Sequence, residues 1–147
     1  MKPSGGDFRG YLARLLDRGV YTRRQLEERL RKRGASEEES GPLLDEMEEL
    51  GFVDDGLYAR LFVEAHPERG SLRLKDDLLR RGVGQSLIEE ALAERADGTE
   101  ERAALELARE WRDRGVEPRL IAARLLRRGF PSAIVRLTLD CLERKAP

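Results

Sequence analysis

Cysteine and histidine each occur once in the 147 residues, at Cys141 and His66. A lone cysteine excludes an internal disulfide and fits a reducing compartment. Because the two residues lie 75 positions apart, the chain has no sequence signature of a Cys-His nucleophile pair or of a metal-spaced cluster of His, Cys and carboxylates. A phosphate-cradling glycine loop is missing too. No enzyme is expected, and no metal or organic cofactor. His66, followed by Pro67, reads as a loop or surface residue.

Aromatic residues make up only 5% of the chain, too few for a well-packed sheet, whereas 39% charged residues suit short amphipathic helices with wet outer faces. The expected class is all-α. No apolar run is long enough to span a bilayer, and Met1-Lys2-Pro3-Ser4-Gly5-Gly6 is not a basic-then-apolar leader. The chain is expected to be soluble and cytoplasmic, without membrane contact. Its charged exterior, with no large extra apolar stripe, predicts a monomer.

The net charge of −1 excludes a strong overall field for nucleic acid, but the charges are segregated. Residues 22–34 carry Arg23, Arg24, Arg29, Arg31, Lys32 and Arg33 against Glu27 and Glu28, while residues 35–51 carry seven acidic residues and no basic one. Strongly signed faces hide under a total near zero.

One pattern organises the rest. Leu26 and Leu30 before Lys32-Arg33-Gly34, Leu74 and Leu78 before Arg80-Arg81-Gly82, and Ile121 and Leu125 before Arg127-Arg128-Gly129 each give an aliphatic pair four apart, two basic residues and a glycine. The glycines are 48 and 47 residues apart, a period that marks a stack of supersecondary units. Each copy reads as a helix end: apolar residues on one face, cations beside the last carbonyls, glycine in the left-handed stop.

Residues 1–7 read as a flexible leader. Phe8, Tyr11, Leu12, Leu15 and Leu16 follow at helical spacing up to Gly19. Thr22 to Gln25 and Ser36 to Glu39 have the form of capping boxes. Pro42 favours a start of the next helix close to itself, and Leu43, Leu44, Met47 and Leu50 form its stripe. Asp54 or Asp55 caps a helix with the stripe Leu57, Tyr58, Leu61, Phe62 and Ala65. Leu87, Ile88, Ala91 and Leu92 form a further helix stopped at Asp97-Gly98. Ala104, Leu107, Ala108 and Trp111 make the next, Pro118 suits the first turn of the third pattern helix, and Ile134, Val135, Leu139 and Leu142 complete the last. The predicted organisation is three tandem three-helix units, 8–53, 54–98 and 99–147, each too small to bury its faces alone and therefore packed in a row.

The basic pairs have two readings: they neutralise helix C-termini, or they form a basic ridge at regular spacing, matched to a periodic polyanion or protein filament. Arg73, Lys75 and Arg124 lie on the same helices and add to the ridge. Asp54-Asp55 is either a helix cap or a contact with a basic partner. The units are helix-turn-helix-like, yet their third helices begin acidic or nearly neutral, at Ser36-Glu37-Glu38-Glu39 and Ser86-Leu87-Ile88-Glu89, which argues against major-groove reading.

Four ordered segments resemble the RecX family of bacterial recombinase regulators. They are Gln25-Leu26-Glu27-Glu28-Arg29-Leu30 after a Thr cap; Gly51-Phe52-Val53-Asp54-Asp55-Gly56-Leu57-Tyr58-Ala59 followed by Phe62-Val63; Arg73-Leu74 leading to Leu78 and Gly82-Val83; and Arg127-Arg128-Gly129-Phe130. The resemblance runs from about Tyr11 to Leu142. It implies three tandem three-helix repeats in an elongated, curved protein. It also implies a protein that lies along the RecA filament on single-stranded DNA and restrains strand exchange, ATP hydrolysis and repressor self-cleavage. His66-Pro67-Glu68 and Pro131 depart from the family's pattern and weigh toward protein contact over DNA contact.

On this reading Arg73, Lys75, Arg80, Arg81, Arg124, Arg127 and Arg128 contact phosphates or acidic recombinase surface, while Asp54, Asp55 and the acidic stretch from Glu37 to Glu49 meet basic surface. The alternatives are a direct DNA binder without an obligatory recombinase partner, and a helical-repeat adaptor for another protein.

Overall fold

A computed structural model describes residues 7–144, and these are all-α, with no strand among them. Residues 1–6, most of the expected leader, lie outside the described residues, as do residues 145–147. Asp7, assigned to that leader from sequence, is the N-cap of the first helix, its carboxylate accepting from the Gly10 N-H.

The helices are α1 (Phe8–Arg18), α2 (Arg23–Lys32), α3 (Glu37–Glu49), α4 (Asp55–Ala65), α5 (Ser71–Arg80), α6 (Gln85–Ala93), α7 (Thr99–Asp113), α8 (Pro118–Arg127) and α9 (Ser132–Arg144). They share three apolar clusters. The first joins Phe8, Leu12 and Leu15 of α1 to Leu26, Leu30, Leu44 and Met47. The second is built from Ala59, Phe62, Val63, Leu74, Leu78, Ile88 and Ala91, and the third from Ala104, Ala108, Trp111, Ile121, Leu125, Ile134 and Leu142. At the heart of each cluster sits the aliphatic pair of the pattern helix, completely removed from solvent.

Each pattern helix ends alike. The N-H of Ala35, Val83 or Phe130 donates to the carbonyl of Leu30, Leu78 or Leu125, and the preceding glycine donates to the carbonyl of Arg31, Leu79 or Leu126. These are paired 6→1 and 5→2 closures, which require a left-handed residue between the helix and its exit. The residue after the glycine turns inward and is buried in all three copies, so the stop also seeds the core.

The clusters meet through helix ends. Where α5 stops, the Arg81 carbonyl accepts from the Thr22 hydroxyl at the start of α2 (2.7 Å). Where α8 stops, the carbonyls of Arg128 and Gly129 accept from the N-H groups of Gly70 and Leu72 at the start of α5 (2.9 and 3.0 Å). A neighbouring carboxylate takes the next first-turn N-H each time: Asp55 accepts from Arg23, and Glu100 from Ser71. Thr22 and Gly70 each stand twelve residues before their glycine, so a single junction is used twice with different chemistry.

Several expectations are corrected. Helix α3 starts at Glu37 and runs through Pro42. Its capping box and three glutamates in the first turn hold that start, and Pro42 leaves one interior N-H bond unmade. Leu50 stays exposed at the C-cap of α3. On α4 the buried face is Ala59, Phe62 and Val63, while Leu57, Leu61 and Ala65 face out. Helix α6 stops at Ala93, ahead of Asp97-Gly98, and Gly98 is the N-cap of α7. Arg95 holds the intervening turn by donating to the carbonyls of Pro67 and Arg69.

Candidate functional site

The second helix of each cluster ends with an arginine immediately before the glycine: Arg33, Arg81 and Arg128. Each lies over an aromatic ring from the first helix of its cluster. Arg33 stands 4.0 Å from the centre of Tyr11, Arg81 4.5 Å from Phe62, and Arg128 5.4 Å from Trp111. Arg29 over Tyr21 and Arg124 over Trp111 extend the device by one helical turn in the first and third clusters. A guanidinium laid on a ring is held by the ring's electron-rich face and keeps its N-H edge for a partner.

In the third cluster this builds a groove. Arg73, reaching over from α5, joins Arg124, Arg127 and Arg128 around Trp111 and encloses about 340 Å³. Trp111 is itself almost fully buried and supplies a wall. The only charged groups in its lining are guanidinium groups, so the groove suits anionic groups.

The other sequence candidates lie elsewhere. Arg80 is exposed and pairs with Asp76 one turn back (3.0 Å). Arg81 folds back and donates to the Asp77 carbonyl (3.2 Å). Lys75 is half-buried on α5 and does not line the groove. Asp54 is the N-cap of α4, accepting from the Leu57 N-H. Asp55 accepts from the Arg23 N-H, and burial pushes its carboxyl above the usual carboxylate range despite that bond.

Part of the acidic stretch is engaged within the first cluster. Arg23 donates to Asp45 and Glu48, both at 2.7 Å, and these contacts, Asp45 first, hold its own pKa up. Arg9 forks onto Glu46 and holds that carboxyl below its usual range. His66, the C-cap of α4, sits with Nδ1 3.0 Å from the Phe62 carbonyl and stacks on the Phe62 ring. Burial first and Arg69 second hold its imidazole below the ordinary value.

Sequence reasoning missed the aromatic partners. They stand 22, 19 and 17 residues ahead of their arginines, a spacing that drifts with loop length and so escapes a fixed-period search. Among the described residues no group of three or more His, Cys, Asp or Glu is placed to hold a metal, and no helix is long and apolar enough to cross a membrane.

Fold and site together define an all-helical protein that presents an arginine-lined groove on its surface. No family model matches the chain. It is 37% identical over 145 residues to the regulatory protein RecX of Streptomyces coelicolor, covering 92% of this chain and 77% of that one. It is 39% identical over 132 residues to the regulatory protein RecX of Thermus thermophilus, with 88% of each covered. Its fold matches the crystal structure of RecX from Lactobacillus salivarius at a TM-score of 0.87 and 20% identity, across 95% of this chain and 97% of that one. The chain belongs to the RecX family of regulatory proteins.

Proposed function

We propose that this chain binds the RecA filament on single-stranded DNA and restrains its strand exchange, ATP hydrolysis and co-protease activity, as a cytoplasmic monomer and not as an enzyme. In this reading residues 8–53, 54–98 and 99–147 are repeats laid in a row along the filament. The observation that carries it is the groove of Arg73, Arg124, Arg127 and Arg128, where two neighbouring clusters contribute cations to a single acceptor for anionic surface. Family membership supports the regulatory role.

The test is DNA-dependent ATP hydrolysis by the cognate RecA, titrated with this protein at two salt concentrations. Inhibition is expected well below one copy per recombinase subunit, and Arg124→Glu with Arg127→Glu is expected to raise the half-inhibiting concentration about tenfold or more, the loss of a 1.4 kcal/mol contact or greater. Full inhibition by the folded double variant would remove the groove from the interface.

A second reading, direct DNA binding without a recombinase partner, is favoured by one feature: no carboxylate lines the groove. It predicts binding to naked DNA that weakens steeply with salt, and no inhibition of hydrolysis.

A further inference from the structure

The first cluster has its own basic groove, in register with the one on α8. It encloses about 420 Å³ between α1 and α2 and is lined by Arg29, Lys32 and Arg33, the rings of Tyr11 and Tyr21, Gln25 and Glu28. Counted back from the glycine, Arg29, Lys32 and Arg33 match Arg124, Arg127 and Arg128 position for position. Two of the three are stacked, Arg29 on Tyr21 and Arg33 on Tyr11, which fixes their planes. Among the described residues none of the three has an ion-pair partner. The lining carboxylate, Glu28, lies 3.8 Å from Arg24.

Of the three matched positions, the middle cluster differs in charge at one. Its residue at the position of Arg29 and Arg124 is Asp77, which pairs with Arg69 at 2.8 Å and lies 3.7 Å from Arg73. Its backbone carbonyl takes a guanidinium N-H of Arg81. Arg69 and Arg81 are thereby bonded within the chain, while Arg73 turns its exposed end toward the α8 groove.

We infer that the groove of Arg29, Lys32 and Arg33 is a phosphate-binding site for a nucleic-acid backbone, equivalent to the α8 groove and separated from it by a middle unit that Asp77 neutralises. Three unpaired cations converging on one groove exceed what a single carboxylate needs. They match closely spaced charges, and stacked guanidinium edges with tyrosine hydroxyls nearby suit phosphate oxygens. The inference rests on the nucleoprotein reading above and adds to it a second point of contact with the strand.

The experiment measures binding of a fluorescent oligothymidylate to the full chain, without recombinase, across a salt series. Arg29→Gln, Lys32→Gln and Arg33→Gln together are expected to lower affinity at low salt at least about tenfold and to flatten the log-log salt dependence by about 2, since each lost phosphate contact removes about 0.7. Lys32→Glu, which breaks no ion pair among the described residues, reads the same groove without removing either stacked arginine and is expected to weaken binding in the same sense. Asp77→Asn is expected to tighten binding by releasing Arg69 and Arg73. Wild-type binding no tighter than that of the folded triple variant overturns the inference, as does equal competition by polyglutamate at matched charge. ATP hydrolysis by RecA, followed with the same variants, keeps the two readings apart. A triple variant that loses the oligonucleotide but still inhibits leaves the groove assigned to phosphate, whereas one that keeps the oligonucleotide sinks this site whatever happens to inhibition.

Discussion

At the scale of single residues, two glycines with the same backbone angle separate conformational cost from packing cost. Gly115 has φ +88 with open space where a side chain would go, whereas Gly129, at φ +90, is pressed against the backbone of Arg73. Gly115→Ala is therefore expected to cost about 1 kcal/mol, the left-handed penalty alone, and Gly129→Ala about 3 kcal/mol or more, because the α8 and α5 ends must part. Urea unfolding of the two variants checks the difference. His66 gives a pH signature. Its folded pKa lies below the ordinary 6.5 of the unfolded chain. Below about 6.5 the unfolded state therefore binds more protons, and stability falls as the solution is acidified through that window. Wild-type stability should rise with pH up to about 6.5, and His66→Gln should remove that rise. An NMR titration should place the imidazole transition below the value of a free histidine.

At the scale of the helices, the second helix of each cluster carries the architecture: its middle builds a core, and the start of α2, both ends of α5 and the finish of α8 make the joints. Thr22 has the most to do. Its hydroxyl accepts from the Gln25 N-H and donates to the Arg81 carbonyl, and the residue is completely buried. Thr22→Ala should cost about 2 kcal/mol, roughly one for the cap and one for the buried bond to α5, while Thr22→Ser should recover most of it. Thermal unfolding followed by circular dichroism reads both. The last of these helices differs where its role differs. Where the first turns of α2 and α5 offer an N-H to a carboxylate, the matching position of α8 holds Pro118, which has no N-H to be satisfied.

At the scale of the whole molecule, much of the fold was legible because it depends on local rules repeated three times. The buried pairs Leu26/Leu30, Leu74/Leu78 and Ile121/Leu125, the glycine stops and both capping boxes follow from spacing within one helix. What escaped the sequence depends on pairings between helices. Helix α4 offers two overlapping apolar stripes, and only packing against α6 selects Ala59, Phe62 and Val63 over Leu57 and Leu61. Of the candidate site, Arg73, Arg124, Arg127 and Arg128 were legible as a ridge, but their convergence on Trp111 was not, since Arg73 arrives from the neighbouring cluster. The joints have one more consequence. Each meeting of α8 with α5 and of α5 with α2 sets a carbonyl end against an amide end, so the three helices run as magnets laid pole to pole. The start of α8 and the finish of α2 are the two unlike poles left over. Such a molecule has a front and a back, and any track with a direction of its own, whether a nucleic-acid strand or a polar filament, can tell one from the other.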